Sequence, residues 1–123
     1  MQIVGVDIVD IARLKIVAAR TPRFLKRVFT QQELDYCYNK KDPFPSLAAR
    51  FAAREAFRKL DSIFIKGIRF QDTEVMVDEM GKPQLVLHEA ALQRSREADI
   101  KEFAISLSHS MEQAIAVIIA NKG

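Results

Sequence analysis

Asp7 places a carboxylate within an apolar stretch of the sequence. Asp7 is the one charged residue in an apolar run over residues 3–9, and an ionised carboxylate buried without a partner is very costly. The run is predicted to be a buried strand, and Asp7 stands near its C-terminal end, where a side chain can reach a cleft. Capping of the next helix does not explain Asp7, because Asp10 is better placed as its N-cap. We therefore interpret Asp7 as a functional residue.

Glu55 is the second candidate carboxylate. It lies in the most helical stretch of the chain, predicted over residues 47–60 with Ser46 as N-cap, and a projection at about 100° per residue puts it at the margin of the apolar arc. An ion pair with Arg58 or Lys59 at helical spacing, worth a few tenths of a kcal/mol, explains Glu55 equally well. Two carboxylates with open positions would suit Mg²⁺ bound together with substrate phosphates.

Arginines recur along the same predicted helix. Arg50, Arg54 and Arg58 form one stripe, and guanidinium groups match phosphate oxygens in shape and charge. Four of the six residues over 48–53 are alanine, which predicts close packing of the helix on its other side. The stripe is interpreted as a phosphate-binding wall, with a solvated helix surface as the alternative.

Ser108 and His109 end an alternating strand predicted over residues 103–108. Neighbouring residues on a strand point to opposite faces, so these two side chains cannot pair directly as nucleophile and base. Phosphate binding or orientation of a hydroxyl group suits them better. The single cysteine, Cys37, shows no local sign of activation.

The elements that must position these residues follow an α+β pattern in one domain over residues 1–123, with an N-terminal strand, a helical block and then mainly antiparallel strands. A helix capped by Asp10 and another starting at Pro22 come before the long helix, as does a third over 30–38, where Thr30 and Glu33 form a capping box. The remaining predictions are strands over 73–77 and 84–87 joined as a hairpin, a helix over 88–96, and strands over 103–108 and 114–120.

Composition limits the class of protein. There are 19 basic and 16 acidic residues, and basic side chains clearly outnumber acidic ones between Arg13 and Arg58, which indicates an anionic partner or a solvated basic surface. One cysteine cannot form an internal disulfide, and no apolar run could span a bilayer, so we expect a cytoplasmic protein without a membrane partner. No glycine-rich phosphate loop, zinc-ligand spacing or aromatic–basic pattern typical of RNA-binding sheets occurs, and we expect no nucleic-acid partner.

Four motifs, in order, give the whole chain a family resemblance. They are Gly5-Val6-Asp7-Ile8-Val9-Asp10-Ile11-Ala12-Arg13, Arg50-Phe51-Ala52-Ala53-Arg54-Glu55-Ala56-Phe57, Gly81-Lys82-Pro83 and Ile105-Ser106-Leu107-Ser108-His109-Ser110. Together they resemble the holo-acyl-carrier-protein synthase family, the small bacterial 4'-phosphopantetheinyl transferases. The resemblance implies transfer of 4'-phosphopantetheine from coenzyme A to a serine of apo acyl carrier protein, a step of fatty acid biosynthesis and lipid metabolism that also yields adenosine 3',5'-bisphosphate.

The same resemblance implies roles for individual residues. Asp7 and Glu55 would hold Mg²⁺, and the catalytic residues would be Asp7, Glu55 and His109, with either Glu55 or a water on the metal as the base. Coenzyme A would be bound by Arg50, Arg54, Arg58, Ser108 and His109. The carrier protein would be received by Arg13, Arg23 and Arg27, and the protein would be a homotrimer with active sites between subunits.

The sequence departs from the family pattern in two places. Arg54 replaces the usual lysine before the metal glutamate, and residues 61–64, Asp-Ser-Ile-Phe, replace a Gly-Thr-Gly turn that faces the coenzyme. Glycines there would allow close approach of the backbone to the ligand, and Asp61 adds a negative charge near phosphates. The alternative is therefore a degenerate relative that binds carrier protein or coenzyme A without transfer.

Overall fold

The long helix of the chain lies across an antiparallel sheet in a computed structural model that describes residues 1–123. The elements, in order, are β1 (Gln2–Asp10), α1 (Ile11–Arg20), α2 (Phe24–Val28), α3 (Gln31–Tyr38), α4 (Phe44–Arg58), 3₁₀ turns at Ser62–Phe64 and Phe70–Asp72, β2 (Thr73–Val77), β3 (Pro83–Leu87), α5 (Glu89–Glu97), β4 (Ile100–His109) and β5 (Gln113–Lys122). The predicted α+β class is confirmed.

Two antiparallel sheets hold the strands. The first has the order β1-β5-β4, so that the two strands far apart in sequence, β1 and β4, flank the apolar β5. The second is the β2–β3 hairpin, whose loop is organised by the Asp78 carboxylate, a hydrogen-bond acceptor for the backbone of Met80 and Lys82. The predicted hairpin and the antiparallel strands are thus confirmed.

Helix α4 approaches β1 closely at one glycine. A Cβ atom added to Gly5 would lie 2.0 Å from the carbonyl oxygen of Ala56. Ala52, Ala53 and Ala56 are completely buried on the same helix, so small side chains on both elements allow the contact. The alanines and Gly5 therefore set the distance at which Asp7, two residues along β1, faces the helix.

Capping residues place the helix starts. Asp10 caps α1 by accepting from the Ala12 amide at 3.1 Å, and Thr30 and Glu33 form the predicted capping box of α3. Two predicted starts are wrong. Helix α2 begins at Phe24, beyond Pro22, and α4 begins at Phe44, since the proline at position 45 fits a first helical turn that needs no intrahelical amide donor.

Strand β1 is buried on one face only, which corrects the prediction of a fully buried strand. Val4, Val6 and Ile8 are 61, 49 and 55% exposed, while Gly5 and the residues on its side face α4. In the antiparallel register Val4, Val6 and Ile8 lie opposite Ile119, Val117 and Ile115 of β5. This apolar surface on the three-stranded sheet, made by these six residues, is called the open face below.

No helix in the fold is long and apolar enough to cross a membrane.

Candidate active site

Asp7 is held by a lysine that follows helix α4. The Asp7 side chain is 17% exposed, and its Oδ1 accepts a hydrogen bond from Lys59 Nζ at 2.8 Å. The same ammonium group donates to the carbonyl oxygen of Val6 at 3.2 Å. A cation therefore already sits against the Asp7 carboxylate. Sequence reasoning considered Lys59 only as a partner of Glu55, because the contact depends on the packing of β1 against α4.

Glu55 lines a cavity of about 540 Å³ beside that ion pair. The cavity is lined by Glu55, Arg58, Lys59, Asp61, Ser62 and Ile65 and is called the phosphate cavity below. No side chain forms an ion pair or hydrogen bond with the Glu55 carboxylate, so the alternative pairing with Arg58 or Lys59 does not occur. Arg58 instead spans the cavity wall and donates to the carbonyl oxygen of Ile65 at 2.6 Å. The cavity thus combines a free carboxylate with two cations.

Arg54 does not belong to an exposed stripe, and its role in coenzyme binding stays a prediction. Only 1% of the residue is exposed. Its guanidinium forms a two-pronged ion pair with Glu33 and donates from Nε to the carbonyl oxygen of Phe70 at 2.9 Å. Glu33 also accepts from the Val75 amide at 3.0 Å. Every polar atom of this pair is used inside the protein.

Arg50 is likewise buried, with 4% exposure, so it is not on an exposed stripe either, and its role at the phosphates stays a prediction. Its guanidinium stacks on the ring of Tyr36, 4.7 Å from the centroid, and donates to the carbonyl oxygen of Ser46 at 3.2 Å. Arg50 and Arg54 thus face α3 and not solvent. Of the three predicted arginines, Arg58 is the one that lines the phosphate cavity. The capping box had identified Glu33, but no local signal pairs Glu33 with Arg54.

A second, more apolar groove of about 510 Å³ opens on the other side of Asp7. Its lining includes Asp7, Arg13, Leu14, Val17, Phe24 and Phe51. Arg13, Arg23 and Arg27 are all exposed, and none of them forms an ion pair or side-chain hydrogen bond within the chain. Arg27 faces a separate cavity with Arg69. The three predicted carrier-binding arginines are therefore free surface cations along α1 and α2, one of them beside Asp7.

Ser108 and His109 lie apart from the phosphate cavity. They line a cavity of about 270 Å³ with Ile8 and Ile115 of the open face. Both are exposed, and His109 Nδ1 lies 3.2 Å from the carbonyl oxygen of Ser110. Within one chain, the structure does not bring these residues into the cavity of Glu55 and Arg58.

Asp7 and Glu55 line different cavities, and Lys59 connects them, because it lines the cavity of Glu55 and bonds to Asp7. Both carboxylates are hard oxygen donors of the kind that a divalent cation takes. No group of three or more histidine, cysteine or acidic side chains clusters in the chain, so the protein offers at most two carboxylates at one point. The Lys59 ammonium at Asp7 Oδ1 shows that this position attracts a cation. Mg²⁺ typically takes one or two carboxylates and completes its octahedron with water and substrate phosphate oxygens, which agrees with this set.

Two titratable groups have shifted pKa values. The hydrogen bond from Lys122, and then that from the Ile63 amide, hold the pKa of Asp61 below its usual value. Burial raises the pKa of the Cys37 thiol, with Arg50 opposing the shift. Cys37 is fully buried and so remains a neutral thiol, which argues against a nucleophilic role.

Comparison with known proteins agrees with this geometry. The sequence profile of the 4'-phosphopantetheinyl transferase superfamily matches residues 3–118. The chain is 39% identical over 120 residues to the holo-[acyl-carrier-protein] synthase of Caldanaerobacter subterraneus subsp. tengcongensis, covering 98% of this chain and 94% of that protein. It is 43% identical over 115 residues to the synthase of Moorella thermoacetica, covering 94 and 90%.

Solved structures show the same relationship. The ACPS–CoA complex of Chronobacterium ammoniagenes superposes with a TM-score of 0.88 at 28% identity, over 100% of this chain and 98% of that one. The holo-[acyl-carrier-protein] synthase of Helicobacter pylori in complex with coenzyme A gives a TM-score of 0.78 at 28% identity, over 96 and 99% of the two chains. The chain therefore belongs to the 4'-phosphopantetheinyl transferase superfamily and, within it, to the family of holo-[acyl-carrier-protein] synthases.

Proposed function

We propose that this chain transfers 4'-phosphopantetheine from coenzyme A to a serine of apo acyl carrier protein, with adenosine 3',5'-bisphosphate as the second product. The observation that carries the proposal is the position of the free Glu55 carboxylate. It shares a cavity with Arg58 and Lys59, and Lys59 in turn bonds to Asp7. Relatives that match nearly the whole chain bear the name of this activity.

The reaction exchanges one P–O bond for another. The hydroxyl oxygen of the carrier serine bonds to the β-phosphorus of coenzyme A, and the bond from that phosphorus to the oxygen of adenosine 3',5'-bisphosphate breaks. Arg58 and Lys59 bind the phosphate oxygens, because their cationic groups line the same cavity. The carboxylate of Glu55 has no partner within the chain and is available to accept the serine proton.

Asp7 and Glu55 are the residues that would hold Mg²⁺. When bound, the ion would neutralise negative charge on the pyrophosphate of coenzyme A. Lys59 would leave Asp7 Oδ1 as the metal enters, and its ammonium would then be free to contact a phosphate. The close packing of Gly5 on Ala56 fixes β1 and α4 as the rigid supports of the two carboxylates.

The acyl carrier protein would dock on the surface of α1 and α2. Arg13, Arg23 and Arg27 are exposed and unpaired, which suits an acidic partner helix. The apolar groove with Phe24 and Phe51 joins this surface to Asp7. A carrier seated there would present its serine next to Asp7.

A homotrimer would complete the site. The open face exposes branched apolar side chains at three alternate positions of β1, and such a contiguous apolar surface marks an association site. Ser108 and His109 lie at the rim of this face. In a closed ring of three chains, these two residues of one copy would reach the phosphate cavity of its neighbour.

The direct test is the conversion of an apo carrier protein in the presence of Mg²⁺ and coenzyme A, followed by intact-mass spectrometry. We expect a gain of one phosphopantetheine group per carrier and loss of the gain with EDTA. Asp7→Asn should slow conversion by ~100-fold or more, the scale seen on removing a group that stabilises transition-state charge. Asp35→Asn, on the exposed side of α3, is the matched control. Absence of any mass gain with several apo carriers at saturating coenzyme A would refute the transferase proposal.

The second candidate, a relative that binds coenzyme A or carrier protein without transfer, is favoured by Asp61 in the wall of the phosphate cavity. Calorimetric binding of coenzyme A without mass gain on the carrier would establish it. Residues 1–123 acting as a single transferase domain, a cytoplasmic location and a role in fatty acid biosynthesis stay predictions.

A further inference from the structure

The turn that follows α4 is built from side-chain contacts in this chain. Where the family resemblance places glycines, Asp61 caps a 3₁₀ turn over Ser62–Phe64 and accepts from the Ile63 amide at 3.1 Å. Phe64 is completely buried and packs on Phe57, with ring centroids 4.2 Å apart. The turn is therefore fixed at both ends, and its outer residues, Asp61 and Ser62, line the phosphate cavity.

The second oxygen of the Asp61 carboxylate is bound by a lysine from the end of the central strand. Lys122 Nζ donates to Asp61 Oδ2 at 2.5 Å, while Oδ1 is used by the cap. The Asp61 side chain is 12% exposed and that of Lys122 is 37% exposed. Both oxygens of the carboxylate are thus turned toward protein donors, and its charge is compensated.

Compensation of the Asp61 charge matters for ligand binding in the phosphate cavity, because the ligands proposed to bind there are phosphates. Without Lys122, the cavity would present two carboxylates, Glu55 and Asp61, against two cations, Arg58 and Lys59. A free Asp61 charge would repel a pyrophosphate, and in a partly enclosed site this repulsion is less screened than in water. With Lys122 in place, the Asp61 charge is compensated, and Glu55 is the one carboxylate of the cavity without a partner.

We propose that Lys122 is a positioning residue for coenzyme A, which it serves by masking the charge of Asp61 in the wall of the phosphate cavity. The inference rests on the proposed transferase function, whose ligand it takes as given. It gives a role to a residue that lies 61 positions along the chain from Asp61. It also explains how this sequence accommodates an aspartate where a glycine turn is expected.

The test compares Lys122→Gln, Asp61→Asn and the double variant by calorimetric titration with coenzyme A. We expect Lys122→Gln to raise the Kd roughly three- to tenfold at low salt, as an unmasked charge near phosphates would. The increase should shrink in high salt. Adding Asp61→Asn should reverse most of it, because no charge then remains to be masked.

Steady-state kinetics and a control substitution at a second lysine complete the test. Lys122→Gln should raise KM for coenzyme A and leave kcat nearly unchanged, since the pair does not touch the reacting atoms. Lys101→Gln is the control, because Lys101 also pairs with an aspartate, Asp99, at 3.5 Å but lines none of these cavities. It removes the same charge and should leave the Kd unaltered.

The outcomes separate this inference from the proposed function. The titration needs no carrier protein, so an unchanged Kd in Lys122→Gln would overturn the inference while transfer by the wild type still stood. If Asp61→Asn alone raised the Kd as much as Lys122→Gln, with no dependence on salt, the pair would be only a structural tie and charge masking would be wrong. A wild-type chain that failed to bind coenzyme A would overturn both.

Discussion

At the scale of single residues, three arginines on one helix have different surroundings and different roles. Arg54 and Arg50 are buried among α3 and the segment that follows α4, whereas Arg58 reaches the phosphate cavity. A buried charge is costly unless it is paired and hydrogen-bonded. Glu33 satisfies Arg54 with both carboxylate oxygens. The guanidinium fork, which lysine lacks, explains why an arginine suits position 54 in this chain.

Replacing Arg54 should therefore destabilise the protein, while replacing Arg58 should weaken coenzyme binding. Arg54→Leu leaves the buried Glu33 carboxylate without a counter-ion, and we expect a loss of about 3–5 kcal/mol in the free energy of unfolding. Arg58→Leu should cost less than about 1 kcal/mol but raise KM for coenzyme A. Urea unfolding and steady-state kinetics of both variants are the measurements. Equal stability of the two variants would contradict the assignment.

The Asp61–Lys122 pair predicts a pH effect on stability. The pKa of Asp61 is held below its usual value by the hydrogen bond from Lys122, so the folded state binds the proton less readily than the unfolded chain. The resulting stabilisation is present above the unfolded pKa, about 4, and is lost as the pH falls through the folded value. Unfolding free energies measured in urea from pH 6 downward should fall more steeply for the wild type than for Asp61→Asn. Parallel curves would show that Asp61 does not contribute.

At the scale of elements, the site depends on how closely β1 meets α4. Gly5 carries no Cβ, and the helix backbone at Ala56 occupies the space where one would lie. This contact places the strand that bears Asp7 against the helix that bears Glu55, and it lets Lys59 reach the strand. A wider spacing would separate the two carboxylates and break the lysine contact.

Gly5→Ala should disturb both packing and activity. An added methyl group 2.0 Å from a backbone oxygen forces the helix away, and overpacking of this kind costs typically 1–3 kcal/mol. Transfer should slow more than stability alone explains, because the carboxylates shift relative to each other. Gly81→Ala is the control, since its Cβ meets nothing within 4 Å and only the positive φ of +80° is unfavourable. A Gly5→Ala enzyme with unaltered stability and turnover would refute the role of this contact.

At the scale of the whole molecule, the open face is an apolar surface that the fold leaves uncovered. The face lies on a sheet whose other side is packed on α4, and its exposed residues are valine and isoleucine. Burial of such side chains contributes roughly 25 cal/mol per Å² of apolar surface. Ser108 and His109 lie at its rim.

We expect the wild type to have a mass of about 42 kDa in solution, three times the 14.0 kDa of the chain, by light scattering coupled to size exclusion. Val6→Glu puts a charge in the middle of the open face, where burial would be costly, and should yield a monomer with little transferase activity. Met80→Glu, at the exposed tip of the β2–β3 hairpin, is the control and should keep the wild-type mass. A monomeric wild type that retains full activity would exclude a site shared between chains.

The sequence by itself determined the order of the elements and several of their boundaries, although the predicted starts of α2 and α4 were wrong. The capping box at Thr30, the Asp10 cap, the β2–β3 hairpin and the antiparallel strands follow from residue types a few positions apart, because their physics is local. The unusual position of Asp7 could also be recognised from the sequence, because the charged residue and the apolar run around it lie in the same strand.

Only the tertiary structure decided which faces are covered. A helical projection shows that three arginines share a side of α4, but not that α3 packs on that side and brings Glu33 to Arg54. Nor does local sequence show that one face of β1 stays exposed, or that Lys59 crosses to Asp7 and Lys122 to Asp61. These contacts join residues from 21 to 61 positions apart, and the free energy that selects them comes from packing whole elements together, which no local pattern records.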